Sequence, residues 1–259
     1  MPLGTFRFQC HTQRRYKAKP SSPAMGLKMD RPIPEDAHIK DAVAATVASE
    51  EAIKKVCFEH LQPGPFQFTD IFGLAIGKRA LGLSSGYRLM VEQANSICAL
   101  PLVRMQLDTV LRLYAGFFAP DHREFCKHVF GGAQINRMKS FDGVKMTDRF
   151  LVEKISLRNP WMSTVYNETS GYVHFSGKHM LSLFNVDGNS NFQVVIGDRD
   201  FGKDAQYYIE PTRCIHHLNL LIEFGLRDWF GRMCRLDGRV PDADEFWRSQ
   251  NDTPSGDAA

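Results

Sequence analysis

The sequence predicts a mainly α-helical fold, a helical bundle with a small β-hairpin near residues 181–197. Apolar side chains recur at helical spacing near 101–118 and 211–233, as on helices that bury one face. Pro- and Gly-containing breaks separate the helical segments from one another. In the hairpin region, two apolar segments flank the turn sequence Asp187-Gly-Asn-Ser.

The first half of the chain predicts three long helices. Residues 37–61 are rich in Ala, Ile, Glu and Lys, and they end at the breaker Gln62-Pro-Gly-Pro. A second helix is predicted over 69–96 and a third over 101–118, with their continuity left open. The apolar stripe of the third helix consists of Val103, Leu107, Val110, Leu111, Tyr114 and Phe117.

The second half predicts shorter helices and then one long one. Short helices are predicted over 121–129 and after Thr147, which suits an N-cap. Asn159-Pro160 predicts the start of a helix that reaches about His179. Pro211 predicts the start of the last helix. The apolar stripe of that helix consists of Ile215, Leu218, Ile222, Leu226, Trp229 and Met233.

Charge divides the chain of 259 residues into three regions. Residues 1–34 form a basic segment, whose first 30 residues carry a net charge of +5; we expect a disordered leader or an over-extended start. Residues 35–236 are expected to form a single helical domain, and 237–259 a flexible acidic tail. Beyond the first 30 residues the net charge is −2, which argues against reading the overall basic charge as a nucleic-acid signal.

Composition indicates a globular protein without a membrane partner. Hydrophobic residues make up 43% of the chain and charged residues 24%. No apolar run reaches the roughly 18 residues of a membrane span. The six cysteines form no C-x-x-C pair, which is typical of reduced thiols, so we expect a cytoplasmic protein. No cofactor motif is present, and we expect no cofactor.

A first candidate site is the stripe Arg104, Asp108, Arg112 on the third predicted helix. These residues lie four apart and share one face of an otherwise apolar helix. A charge at such a position is costly to bury unless it is paired. The stripe is either a structural ion pair or an arginine held ready for an anion such as phosphate.

A second candidate site is the stripe Tyr166, Ser170, His174, Lys178 on the predicted helix over 160–179. Histidine is the side chain best suited to act as a general acid or base near neutral pH, so His174 is the candidate for that role, with Tyr166 and Ser170 to orient it. The competing interpretation is an ordinary polar surface of the helix. If the two stripes face each other, Arg104 and His174 share a site.

Arg123 and His128 form a weaker candidate, an R-x4-H string. Metal-independent helical ribonucleases use such a string, with Arg stabilising charge and His moving a proton. Short strings of this kind also arise by chance.

Two groups of His and Cys residues lie close together in the sequence and could in principle bind zinc. They do not have the spacing of common zinc modules, so no metal site is predicted. The groups are His122, Cys126 and His128, and Cys214, His216 and His217.

Two segments carry a resemblance to known proteins. LPLVRMQLDTVLRLYAGF (100–117) and YNETSGYVHFSGKHM (166–180) resemble an uncharacterised bacterial helical family that is distantly HEPN-like. The resemblance covers about residues 65–182. The HEPN-like class includes ribonuclease toxins and non-catalytic relatives. The matching positions are Arg104, Asp108, Tyr166, Ser170 and His174.

Two functions compete on these observations. The first is a non-catalytic binding or interaction protein, in a defence or toxin–antitoxin system, whose polar stripes fix how the helices pack. The alternative is a metal-independent HEPN-like ribonuclease or nucleotide-processing enzyme, with RNA or a nucleotide bound by Arg104 and a proton moved by His174. We expect a homodimer, because helical proteins of this kind pair through a helix face.

Overall fold

The computed structural model describes residues 36–61, 66–186, 192–194 and 196–234. The predicted leader and acidic tail therefore lie outside the described residues. A 3₁₀ turn at Ile135–Arg137 stands between the fourth and fifth helices. In chain order the elements are α1 Ala37–His60, α2 Phe68–Glu92, α3 Ser96–Phe118, α4 His122–Phe130, α5 Asp148–Ser156, α6 Trp161–Val173, α7 Gly177–Ser182, β1 Phe184–Val186, β2 Phe192–Val194 and α8 Gln206–Arg232.

Four long helices, α1, α2, α3 and α8, form the bundle, and the predicted mainly helical architecture is confirmed. Helix α8 packs against the other three, and α2 packs against α3. Helix α6 covers α3 on another side, and α5 packs on both of them. Contacts at Thr46 with Thr212 and at His60 with Phe230 show that α1 and α8 run parallel.

The apolar stripes predicted from the sequence face the core. On α8, Ile215, Leu218, Ile222, Leu226 and Trp229 are fully buried. On α3, Val103, Leu107, Val110 and Leu111 are buried, and Tyr114 and Phe117 pack against the core from its edge. A helix with one apolar face must bury that face, which is why spacing alone predicts these elements.

Trp229 fills the centre of one end of the bundle. Its ring centroid lies 5.1 Å from that of Phe72 and 5.3 Å from that of Phe117. Its indole Nε1 donates to the carbonyl oxygen of Thr69 at 2.9 Å, so its polar atom is satisfied. Gly116 allows the indole to pack directly against the backbone of α3, because a Cβ at this position would lie 2.7 Å from Trp229 Cζ3.

The predicted end of α6 is wrong. The helix ends at Val173 instead of continuing to His179, and a separate short helix, α7, begins at Gly177. Gly171 and Gly177 weaken helix propensity across this segment. The Ser176 hydroxyl donates to the carbonyl oxygen of Gly171 and accepts from the amide of Lys178, so it satisfies backbone groups of both helices.

Two other boundaries differ from the prediction. Helix α2 ends at Glu92 and not near 96, and α3 begins at Ser96 and not near 101. The two helices are separate because Ala94 has a positive φ of 51° and the Asn95 side chain caps α3. Helix α8 begins at Gln206, ahead of Pro211, where Asp204 Oδ1 accepts from the amide of Tyr207 at 3.0 Å. The start of α6 at Trp161 lies within two residues of the predicted Asn159-Pro160 signal.

The strands are minor elements of the fold. β1 and β2 are three residues each and pair antiparallel, with Asn185 opposite Gln193. The predicted turn at Asp187-Gly-Asn-Ser lies outside the described residues. Among the helices that the structure describes, none is both long and apolar enough to cross a membrane.

Candidate functional site

Arg104 lies in α3, where this helix packs against α5 and α6. Its guanidinium carbon is 4.0 Å from the centroid of the Tyr166 ring on α6. Its Nη2 is 3.4 Å from Asp148 Oδ2 on α5, and the side chain is 14% exposed. An aromatic face and a carboxylate are both good partners for a largely buried guanidinium. Arg104 therefore links α3 to both neighbouring helices.

Arg112 lies two turns further along α3 and shares Asp148 with Arg104. Its Nη2 is 2.5 Å from Asp148 Oδ1 and 2.7 Å from Asp108 Oδ1. Arg79 of α2 approaches the other oxygen of Asp108 at 3.5 Å. We call these five residues, Arg79, Arg104, Asp108, Arg112 and Asp148, the arginine–aspartate cluster. The cluster connects three helices through ion pairs.

The arginine–aspartate cluster holds more donors than acceptors, since it contains three arginines and two aspartates. Burial by itself would lower the pKa of Arg112, but the Asp108 and Asp148 carboxylates outweigh burial and raise it. Arg104 and Arg112 each keep a buried Nη1 with no hydrogen-bond partner in the described part of the chain. Since these atoms are hidden from solvent, we interpret the cluster as a set of ion pairs that hold the helices together and not as an open anion site.

The structure joins three of the predicted site residues. Arg104 and Asp108 belong to the arginine–aspartate cluster, and Tyr166 stacks on Arg104. Ser170 is exposed on α6, where its hydroxyl donates to the carbonyl oxygen of Asn167 at 2.8 Å. Ser170 therefore takes no part in the cluster.

His174 also lies apart from the arginine–aspartate cluster. It is exposed and follows the last residue of α6 with an extended backbone, φ −117° and ψ 150°. Tyr166 and His174 are eight positions apart, which corresponds to about 12 Å along a helix axis. Proton transfer requires hydrogen-bond reach, directly or through one water. Among the described residues, no contact joins His174 to Arg104.

Arg123 and His128 both lie on the short helix α4. Residues five positions apart on a helix point about 140° away from each other. His128 is exposed, and its Nδ1 donates to the carbonyl oxygen of Glu124 at 2.8 Å. The R-x4-H string therefore does not converge on one point of α4.

Neither zinc group considered from the sequence gathers three ligand atoms at one point in the described part of the chain. In the first group, His122 Nδ1 donates to the carbonyl oxygen of Gly116 at 2.9 Å. In the second, burial raises the pKa of the Cys214 thiol to about 12. A different combination does converge, with ligand atoms within 4.8 Å of one another: His60, Asp70 and Cys234.

A cleft of about 310 Å³ opens where α7, β1 and the segment 196–203 meet the start of α3. Phe175 and Ile196 lie on the walls of the cleft, and these residues are 84% and 85% exposed. Nitrogen-bearing side chains on the lining are His179, Arg199 and Lys203. The apolar lining consists of Ile97, Phe175, Leu183, Phe184, Ile196 and Phe201.

Asp200 fastens one wall of the cleft to the bundle. Its Oδ1 accepts from the Ser96 hydroxyl at 2.6 Å, and its Oδ2 accepts from the Ser96 amide at 2.9 Å and the Tyr208 hydroxyl at 2.8 Å. The carboxylate thus occupies the N-terminal end of α3, which favours negative charge. Arg199 and Lys203 outnumber Asp200 among the charged lining residues, so the lining carries an excess of positive charge.

Exposed apolar side chains continue beyond the cleft over the same stretch of chain. Soluble proteins rarely expose a large contiguous apolar surface unless it binds something. Further exposed residues on this stretch are Val173, Met180, Leu181 and Val194. We call these four residues and the apolar lining the cleft surface.

Comparisons of the chain with protein-family models, with curated proteins and with solved structures find no match.

Proposed function

We propose that this protein is a non-catalytic binding protein that recognises an apolar, acidic segment of a partner protein at the cleft surface. The observation that carries the proposal is the exposure of Phe175 and Ile196, 84% and 85%, on the walls of one cleft. Burying a large apolar side chain contributes about 1.5–3 kcal/mol relative to leaving it exposed. These side chains gain that contribution only when a partner covers them.

The charge of the cleft favours an acidic partner. Arg199 and Lys203 lie on its lining, and Asp200 already accepts three hydrogen bonds from the bundle. A carboxylate of the partner would complement these cations, while its apolar side chains fill the space between Phe175 and Ile196.

The arginine–aspartate cluster has a structural role in this proposal. Its ion pairs hold α2, α3 and α5 together, as in other proteins where buried polar groups fix how elements pack. The resemblance to HEPN-like proteins, which include non-catalytic members, is the reason we propose this binding role in a defence or toxin–antitoxin pair. The described cysteines are free thiols, which supports a cytoplasmic location.

The test uses anilinonaphthalene sulfonate, a dye that combines an apolar aromatic body with one anionic group. We expect the purified protein to bind the dye with increased fluorescence, and the double variant Phe175→Ser/Ile196→Ser to lose most of that signal. Arg199→Gln should weaken binding through loss of the cation. Phe58→Ser removes an exposed phenylalanine from α1 and should leave binding unchanged.

A library of random peptides displayed on phage then defines the partner's chemistry. Wild-type protein should enrich peptides with apolar residues next to Asp or Glu, and the double variant should not retain them. Peptides without acidic residues, or equal retention by the double variant, would contradict the proposal.

A metal-independent ribonuclease using Arg104 and His174 is the second candidate. It is motivated by the excess of arginines over aspartates in the arginine–aspartate cluster, since a phosphate is a strong acceptor for guanidinium groups. We expect purified protein to leave RNA intact in the absence of metal. RNA cleavage that disappears in His174→Ala or Arg104→Ala would replace the binding proposal with the enzymatic one.

We also propose a homodimer that forms through the outer face of α8. Leu220 and Phe224, one turn apart on this helix, are 40% and 66% exposed. We expect light scattering to give twice the chain mass, and Phe224→Glu to give the monomer mass. If the Phe175→Ser/Ile196→Ser variant becomes monomeric instead, the occupant of the cleft is a second copy.

A further inference from the structure

Three side chains with metal-binding atoms meet at one end of the bundle. His60 is the last residue of α1, Asp70 lies in the first turn of α2, and Cys234 follows the end of α8. One nitrogen, one oxygen and one sulfur from these residues lie within 4.8 Å of one another. Because the parallel helices α1 and α8 both end here, the fold itself brings the three residues together.

We propose that His60, Asp70 and Cys234 bind a zinc ion. Imidazole nitrogen, carboxylate oxygen and thiolate sulfur are the three ligand types that zinc takes in proteins. With the thiolate and the carboxylate ionised and the imidazole neutral, the ligands carry a charge of −2 that a divalent cation cancels. A neutral assembly reduces the cost of keeping these charges in a buried place.

The surrounding residues hold the ligands in position. Asp70 Oδ2 accepts from the amide of Gln67 at 2.7 Å, which fixes the carboxylate. The His60 ring stacks on Phe230, with centroids 3.9 Å apart and planes 11° apart. Asp70 and Cys234 are 5% and 8% exposed, so solvent competes little for them. Supporting contacts of this kind orient metal ligands in known sites.

The Thr69 hydroxyl supports the Cys234 sulfur. Thr69 precedes Asp70 in α2 and is buried. Its side chain interacts with the Cys234 thiol and favours the ionised form of that thiol. A contact of this kind to a ligand atom orients the ligand, as in known metal sites.

A catalytic cysteine is the competing interpretation of this trio. His60 Nε2 donates to Asp70 Oδ1 at 2.7 Å, as in hydrolytic triads. However, burial raises the pKa of the Cys234 thiol, and the neighbouring Asp70 charge raises it further. A nucleophilic cysteine needs a lowered pKa, so this environment opposes a free thiolate. Zinc would displace the thiol proton and stabilise the thiolate.

The test is cobalt and zinc binding by the full-length protein after removal of metal with a chelator. We expect one metal ion per chain, a thiolate-to-cobalt charge-transfer band, and a thermal unfolding midpoint that rises with zinc. Cys234→Ser should abolish the charge-transfer band. His60→Asn should weaken zinc at least as much as loss of an outer partner does in other sites, about 10- to 100-fold.

The matched control is Cys214→Ser, which removes a buried cysteine of α8 whose pKa is also raised by burial. This variant should keep the band and the zinc affinity. Wild-type protein that binds neither metal would overturn the proposal without any variant. An unchanged band in Cys234→Ser would also overturn it, since the thiolate would then come from another residue.

Discussion

Asp148 accepts from two guanidinium groups of α3 and stands in the first turn of α5. Arg104 Nη2 and Arg112 Nη2 approach its two oxygens at 3.4 and 2.5 Å. When a carboxylate that accepts from two arginines is removed, both guanidinium groups lose an acceptor. Asp108 also contacts two arginines, Arg79 and Arg112, but Asp148 is the carboxylate through which the cluster joins α5 to α3.

We predict that Asp148→Asn lowers the free energy of unfolding by about 1–2 kcal/mol, less than for a fully buried pair because Asp148 is partly exposed. Urea unfolding followed by circular dichroism measures the change. Glu153→Gln is the control, since it breaks only the exposed pair with Arg149 and should cost less than about 0.5 kcal/mol. Equal stability of the two variants would show that the cluster does not tie the helices.

The sequence predicted part of this site and missed the rest. Arg104, Asp108 and Arg112 were visible because side chains four apart share a helix face. Asp148 belongs to another helix, and spacing along the chain carries no signal for such a partner. His174 was placed with Arg104 only because α6 was expected to continue past Val173.

At the scale of elements, α3 and α8 approach closely where Gly116 faces Trp229. We predict that Gly116→Ala lowers the free energy of unfolding by about 1–3 kcal/mol, because the added methyl group would overlap the indole. Gly82→Ala is the matched control on α2, where an added Cβ meets no atom within 4 Å. That variant should instead gain about 0.5–1 kcal/mol from better helix propensity.

Denaturant midpoints of these two glycine variants should move in opposite directions. If Gly116→Ala were as stable as Gly82→Ala, the packing of Trp229 against α3 would not be as tight as described. The pair therefore separates helix propensity, which acts at both positions, from packing, which acts at only one.

The start of α5 was predicted correctly because a capping side chain stands at that helix end. Thr147 caps α5 as predicted, with its hydroxyl accepting from the Phe150 amide at 3.3 Å. The end of α6 was missed because the Ser176 hydroxyl, reaching back to Gly171, stabilises a break that apolar spacing does not reveal. The cleft surface was missed because its residues come from several segments. Val173 and Phe175 were assigned to a continuous helix, and Leu183, Phe184, Val194 and Ile196 to the hairpin.

At the scale of the whole molecule, one buried polar network joins the four long helices. Glu50 of α1 accepts from Arg88 Nε at 2.9 Å and from the Ser84 hydroxyl at 2.7 Å, both on α2. Asn219 of α8 donates to that same serine at 2.9 Å and accepts from Gln106 of α3 at 2.6 Å. The hydrogen bonds to Glu50 raise the pKa of Arg88.

We predict that Glu50→Gln lowers the free energy of unfolding by about 3 kcal/mol, because Arg88 loses its counter-charge inside the bundle. Its neighbour Glu51 is exposed and pairs with Lys54, so Glu51→Gln should have almost no effect. Fluorescence and circular dichroism should give coincident unfolding curves, because the network spans all four helices. If Glu50→Gln and Glu51→Gln lowered the free energy of unfolding by similar amounts, that result would contradict the role of Glu50 in joining the helices.

The helical class was predictable because each helix carries its own apolar stripe, but the arrangement of helix ends was not. His60 and Asp70 lie ten positions apart, but Cys234 lies far from both in the chain and reaches them only because α1 and α8 run parallel. No residue pattern within either helix specifies that direction. The Glu50 network is invisible for the same reason, since its members come from four separate segments.

The attachment of Asp200 to the start of α3 provides a spectroscopic reporter of the cleft. The Ser96 amide has no acceptor within α3, since it is among the first residues of that helix, and it donates to Asp200 instead. Its exchange with deuterated solvent therefore follows opening of the segment 196–203 and not unwinding of α3. A molecule that settles in the cleft and steadies this wall would slow the exchange of that one amide, which makes occupancy measurable without a label.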